Sequence, residues 1–134
     1  MITLTRRNTL MLMAGDLAIF VMFALAGRET HASSDPNLIV NALPTLLPLI
    51  LIWVLVSVPM GVYRPNVYRF VPLTIIRTLA AWIVVGPIAL YARALLLART
   101  AIPVPFIIVT MGLNGALLLA WHIFLAWWLG RSGR

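Results

Sequence analysis

Four long apolar stretches run along the chain, separated and flanked by shorter segments that hold most of its arginines. The first, about 9–27, is roughly 19 residues long, near the minimum for crossing a bilayer as a helix. The others cover about 43–62, 72–97 and 105–129. The fold expected from this pattern is all-α: a single transmembrane domain over 1–134, built as an integral membrane four-helix bundle. Pro44 falls in the first turn expected for the second helix, where a missing N–H costs little, whereas Pro48 and Pro59 predict a bent or loosely ended helix. Gly86-Pro87 predicts a kink in the third. Between helices, Arg28 to Asn41 reads as a polar surface loop. Tyr63 to Arg69 reads as a basic, aromatic turn at the headgroup level, and Arg99 to Pro105 as a tight turn.

Composition agrees with a membrane setting. The chain is 63% hydrophobic and only 10% charged, against about a quarter charged in soluble domains. Its net charge of +7 comes from ten arginines and no lysine. They are scattered beside the apolar stretches, as lipid headgroups and topology require, with no basic and aromatic patch of the kind that holds nucleic acid. Cysteine is absent, which excludes disulfides, iron–sulfur clusters and thiol chemistry. The arginines near the amino-terminal apolar run imitate a secretion signal, but the run is too long for a signal core and Asp16 interrupts it. With the N-terminus inside, Arg6, Arg7, Arg64, Arg69, Arg131 and Arg134 are cytoplasmic and Arg28, Arg93 and Arg99 are outside. The imbalance favours cytoplasmic N and C termini.

Charges inside the spans are the candidate chemistry. On a helix, Asp16, Phe20, Phe23 and Gly27 share one face, with His31 at its edge. Asp16 and Arg77 fall at matched depth, roughly 8 to 10 Å inside the cytoplasmic side at 1.5 Å per residue. An unpaired charge there costs about 3 kcal/mol, so an intramembrane ion pair that locks the bundle is expected. A proton or ion relay, or a site for a polar ligand, is the functional version. A second cluster lies outside: Arg28, Glu29, His31 and Asp35 with Arg93 and Arg99. It either ties the loop to the bundle or offers a lipid headgroup, quinone or partner protein a site with His31 as its titratable member. His122, among Trp121, Phe124, Trp127 and Trp128, reads as a histidine in an aromatic belt or as an axial ligand to a chlorophyll-type pigment. Gly112-xxx-Ala116 offers a close-packing seam, and Asn114 beside it needs a hydrogen-bond partner. No metal-ligand set, activated nucleophile or phosphate-binding glycine loop is present, and three acids leave a hydrolase almost nothing to work with.

These features resemble domain-of-unknown-function family 3054, small bacterial membrane proteins with four predicted helices. The resemblance is carried by Gly15-Asp16, Phe23, Gly27-Arg28 and His31, then Pro44, by Trp82, Gly86 and Arg93, and by Phe106, Val109 and Trp121. At Trp121-His122 the chain departs from the family's usual Trp-Arg. The resemblance implies a four-helix fold in a bacterial inner membrane and no particular activity.

The function expected is therefore non-catalytic: an accessory or scaffold subunit packing beside other membrane subunits in a respiratory or photosynthetic assembly. It would hold lipid, quinone, or a (bacterio)chlorophyll or carotenoid pigment. The alternative is a small proton, ion or solute transporter or channel working as a homo-oligomer.

Overall fold

A computed structural model describes the backbone of residues 2–29 and 36–132, and the side chains of 5–27 and 36–131. The described residues form helices and turns, with no strand. Helix α1 spans Ile2–Glu29, α2 Leu38–Ser57, α3 Pro65–Tyr68, α4 Val71–Leu96, α5 Val104–Val109 and α6 Gly115–Ser132. A π-helical turn, Thr110–Asn114, joins α5 to α6, so Val104–Arg131 forms one span. Four helical stretches are long and apolar enough to cross a membrane: Thr5–Gly27, Leu38–Ser57, Val71–Leu96 and Val104–Arg131.

The first two helices begin earlier than the apolar pattern suggests, because a helix pairs its own backbone and a few polar side chains at its end do not break it. Asn41 bonds back to the carbonyl of Asn37, and α2 is already formed when it reaches Pro44. Pro44 thus sits inside α2 with Pro48, not in its first turn. Helix α4 runs through Pro87 as one element.

Each long helix packs on its neighbours in the chain, and α6 closes the ring against α1. Contacts between α4 and α2 with its closing turn join Thr45 to Arg93 and Met60 to Arg77, those between α4 and the last span join Thr78 to His122 and Trp82 to Met111, and those between α1 and the last span join Leu12 to Trp121 and Phe23 to Phe106. All three pairs are antiparallel by these contacts, so the bundle is up-down-up-down. Helices α1 and α4 stand diagonally opposite. They meet only across the core, where Phe20 and Trp82 stack at 6.3 Å.

Three glycines set how closely the helices approach. A Cβ on Gly15 would collide with the Trp121 ring, and one on Gly86 with the Met111 side chain. At Gly115 a Cβ would come within 2.7 Å of Trp82 Nε1. The Trp82 indole N–H donates to the Met111 carbonyl at 2.9 Å, which fixes α4 to the π-helical turn.

Two helix ends are shaped by residues in left-handed backbone. After α2, Gly61 (φ 75°) lets Val62 N–H bond to Ser57 O at 3.1 Å and its own N–H to Val58 O at 3.0 Å, a Schellman closure. This reversal sends Val62 and Tyr63 back into the bundle, where both are buried. Tyr68 is also buried, and its hydroxyl reaches the Thr5 carbonyl. The Tyr63 to Arg69 turn is therefore a plug at the end of the bundle, with Tyr63, Val67 and Tyr68 buried in it and Arg64, Pro65, Asn66 and Arg69 exposed. After α4 the same closure uses Ala98 (φ 49°), with Arg99 N–H on Ala94 O at 2.9 Å.

A Cβ is unfavourable in left-handed backbone by about 1 to 2 kcal/mol. Ala98→Gly is expected to stabilise the protein by about 0.5 to 1 kcal/mol, and Gly61→Ala to destabilise it by about 1 kcal/mol or more, in thermal unfolding of the detergent-solubilised protein.

Candidate polar site in the bundle core

Asp16 stands midway along the span Thr5–Gly27, roughly 16 Å from either end at 1.5 Å per residue. It is 1% exposed. A carboxylate at that depth is stable only if protein donors replace water. Three donors do so, each from a different part of the chain. Tyr63, carried back by the Gly61 turn, donates its hydroxyl to Asp16 Oδ2 at 2.5 Å. The Trp53 indole of α2 shares its N–H between the same Oδ2 at 3.0 Å and the Tyr63 hydroxyl at 2.7 Å. His122 of α6 places Nε2 2.8 Å from Oδ1. Gly15, next to Asp16, admits the Trp121 ring against α1, and this close approach brings the adjacent His122 into reach.

Thr78 of α4 completes the set, with its hydroxyl 3.3 Å from His122 Nδ1. With neutral imidazole protonated at Nε2, Nδ1 accepts from the threonine. With imidazolium, both ring nitrogens donate and the threonine accepts. Either proton count leaves every ring nitrogen and carboxylate oxygen partnered. All four long helices contribute to the packing around this network, since Trp53 also meets Phe20 and Trp82 edge-on at 6.0 and 6.3 Å.

The expected pair of Asp16 with Arg77 is not formed. Arg77 is exposed on the outer face of α4 and donates to the Met60 carbonyl at 3.2 Å, in the closing turn of α2 where a cation meets the helix dipole favourably. The reason is topological, because α1 and α4 are diagonal. Depth does not separate the two, since Thr78, next to Arg77, joins the Asp16 network through His122; it is the diagonal placement and the outward face of Arg77 that keep them apart. His122 is likewise not an available pigment ligand. It is 0% exposed and both ring nitrogens are engaged, so no lone pair is free for a macrocycle's metal.

At the opposite end of the bundle, Arg93 donates from Nε to Thr45 Oγ1 at 2.7 Å and lies 4.2 Å over the Phe106 ring. It ties α2, α4 and α5 together. The Arg28 and Glu29 side chains, His31 and Asp35 lie outside the described residues. Gly112 and Ala116 face outward and are exposed, whereas Asn114 is fully buried with neither amide atom hydrogen-bonded, as is the Thr110 hydroxyl one turn earlier.

Burial first, then the charge of Asp16, push the Tyr63 phenol above its usual value of about 10. The folded state thus holds this proton more tightly than the unfolded chain does. The resulting stability is complete below pH about 10 and is lost as the pH rises beyond it. Tyr63→Phe is expected to flatten the decline in unfolding temperature between about pH 9 and 11. Removing one partner of the buried pair, by Asp16→Leu or His122→Leu, is expected to cost about 3 kcal/mol or more, with the double substitution costing less than the sum. Arg77→Gln is expected to cost about 1 kcal/mol or less in the same unfolding measurement, and a loss as large as that of His122→Leu would return Arg77 to the role of partner to Asp16.

The family model described as "Protein of unknown function (DUF3054)" matches residues 13–125, a segment that contains Asp16, Trp53, Tyr63, Thr78 and His122. No curated protein and no solved structure matches the chain. Matched over most of its length, with four helices able to span a membrane as the sequence resemblance implied, the chain belongs to the DUF3054 family.

Proposed function

We propose that the protein is a non-catalytic accessory or scaffold subunit that packs within a larger membrane assembly, respiratory or photosynthetic, and holds lipid, quinone or carotenoid against its outer surface. The observation that carries this reading is the closure of the polar network. Asp16 and His122 are 1% and 0% exposed, and their polar atoms are satisfied by Trp53, Tyr63 and Thr78, so the intramembrane charge is used to hold helices together. The outer faces support it too. Large apolar side chains such as Leu55, Ile83, Ile108 and Trp127 are exposed, and Gly112 and Ala116 leave room for another helix to come close. The setting proposed is a bacterial inner membrane with both termini cytoplasmic, supported by the arginines gathered at the end of the bundle where α1 starts and α6 finishes.

One observation favours a second reading, a small proton transporter. Two titratable groups, Asp16 and His122, stand 2.8 Å apart inside the spans, an arrangement that suits proton transfer. Purification in mild detergent with identification of bound subunits and small molecules, alongside proton flux in liposomes, separates the two. The scaffold reading expects partner subunits to be retained and flux to match protein-free liposomes. Flux abolished by Asp16→Asn, or a homo-oligomer with no partner and no bound molecule, would sink it.

A further inference from the structure

A cleft of about 610 Å³ opens between the start of α4 and the end of α6. Arg69 and Arg131 stand in its lining with Phe70, Val71 and Trp127. Both arginines are exposed, and neither forms an ion pair with a described residue. The chain has only three side-chain acids. Asp16 is enclosed in the core, Glu29 is the last residue of α1, and Asp35 lies outside the described residues. Two cations thus share one cleft without a carboxylate from the described residues beside them.

The cleft is shaped for an anion. The Arg131 guanidinium carbon lies over the Trp127 ring, 4.4 Å from its centre. A guanidinium held against an indole in this way keeps N–H donors that can bond phosphate oxygens in pairs. The first turn of α4 adds to this. Val71 and Pro72 of that turn line the cleft, and the N-cap, Phe70, supplies no side-chain hydrogen bond, so the positive end of a 26-residue helix lies at the cleft. The remaining lining is apolar, and its Phe70 and Trp127 are exposed. A ligand that places a phosphate between the arginines and hydrocarbon along the outer faces of α4 and α6 satisfies both halves.

We propose that this cleft binds the phosphodiester headgroup of an anionic phospholipid. Charge selects the lipid. A phosphatidylglycerol-type headgroup brings one negative charge to two arginines, whereas a choline headgroup adds a cation that they repel. The site stands whether the bundle is a scaffold or a transporter, since it uses no residue of the Asp16 network.

The test is lipid binding to the full chain in detergent, followed by native mass spectrometry with dioleoylphosphatidylglycerol and dioleoylphosphatidylcholine. The anionic lipid is expected to bind at least about tenfold more tightly, and Arg69→Gln with Arg131→Gln to reduce its binding to the choline-lipid level. Arg6→Gln with Arg7→Gln removes the same charge from the exposed start of α1, outside the cleft, and is expected to change binding by no more than about twofold. All the altered side chains are exposed, and thermal unfolding of each variant checks that the bundle is intact. Equal binding of the two lipids overturns the proposal. So does an equal loss from the Arg6 and Arg7 pair, which would mean general surface attraction. Displacement of the lipid by inorganic phosphate alone at about 10 mM would make this a free-phosphate site instead, and also overturns it.

Discussion

A carboxylate in the middle of a bilayer span has to be surrounded by donors, and the architecture of this bundle follows from that requirement. Asp16 takes one hydrogen bond from α2 through Trp53, one from the turn after α2 through Tyr63, and one from α6 through His122. Hydrocarbon offers no competing water, so losing any donor leaves a lone pair with nothing to replace it. Side-chain packing alone would let apolar helices slide or rotate against each other at little cost, because lipid tails are as apolar as leucine. The Asp16 network removes that freedom. It sets the rotation of α1, the depth of α6 and the position of the turn that closes α2.

Small residues make the network possible. Gly15 lets Trp121 lie against α1, and the indole N–H of Trp121 then bonds the Leu12 carbonyl at 3.2 Å, one turn from Asp16. Gly61 reverses the chain after α2 so that Tyr63 points inward. Gly86 and Gly115 do the same for Met111 and Trp82 nearer the other end, where the π-helical turn sits. The bundle therefore has two fixed levels. One is polar and saturated, around Asp16. The other is aromatic, around Trp82, and it leaves the buried amide of Asn114 without a partner.

The arginines are used differently from the acid. Arg77 braces the closing turn of α2, Arg93 spans α2, α4 and α5, and Arg131 is held against the Trp127 ring. Each lies toward the end of its span, where a long side chain reaches polar groups at little cost. Arg69 and Arg131 line one cleft together, which separates them from arginines that merely set orientation.

The sequence by itself determined the four spans, their order and the chain's all-helical membrane character, because hydropathy and length decide these locally. It also singled out Asp16 as the residue needing a partner and Gly15-Asp16 as a pair. What it could not decide was the partner. Matching by depth selected Arg77, the other charge inside a span, whereas the ring closure of an up-down bundle puts α1 beside α2 and α6 and opposite α4. His122 was visible as a histidine among tryptophans, and adjacency of the first and last helices was the signal that would have joined it to Asp16. Tyr63 gave no such signal. Its neighbours Arg64 and Arg69 are those of a headgroup turn, and only the left-handed backbone at Gly61 sends its ring into the core. Helix formation is a property of a segment, whereas a buried hydrogen-bond network depends on which segments meet and on the angle of the turns between them, which only the tertiary structure fixes.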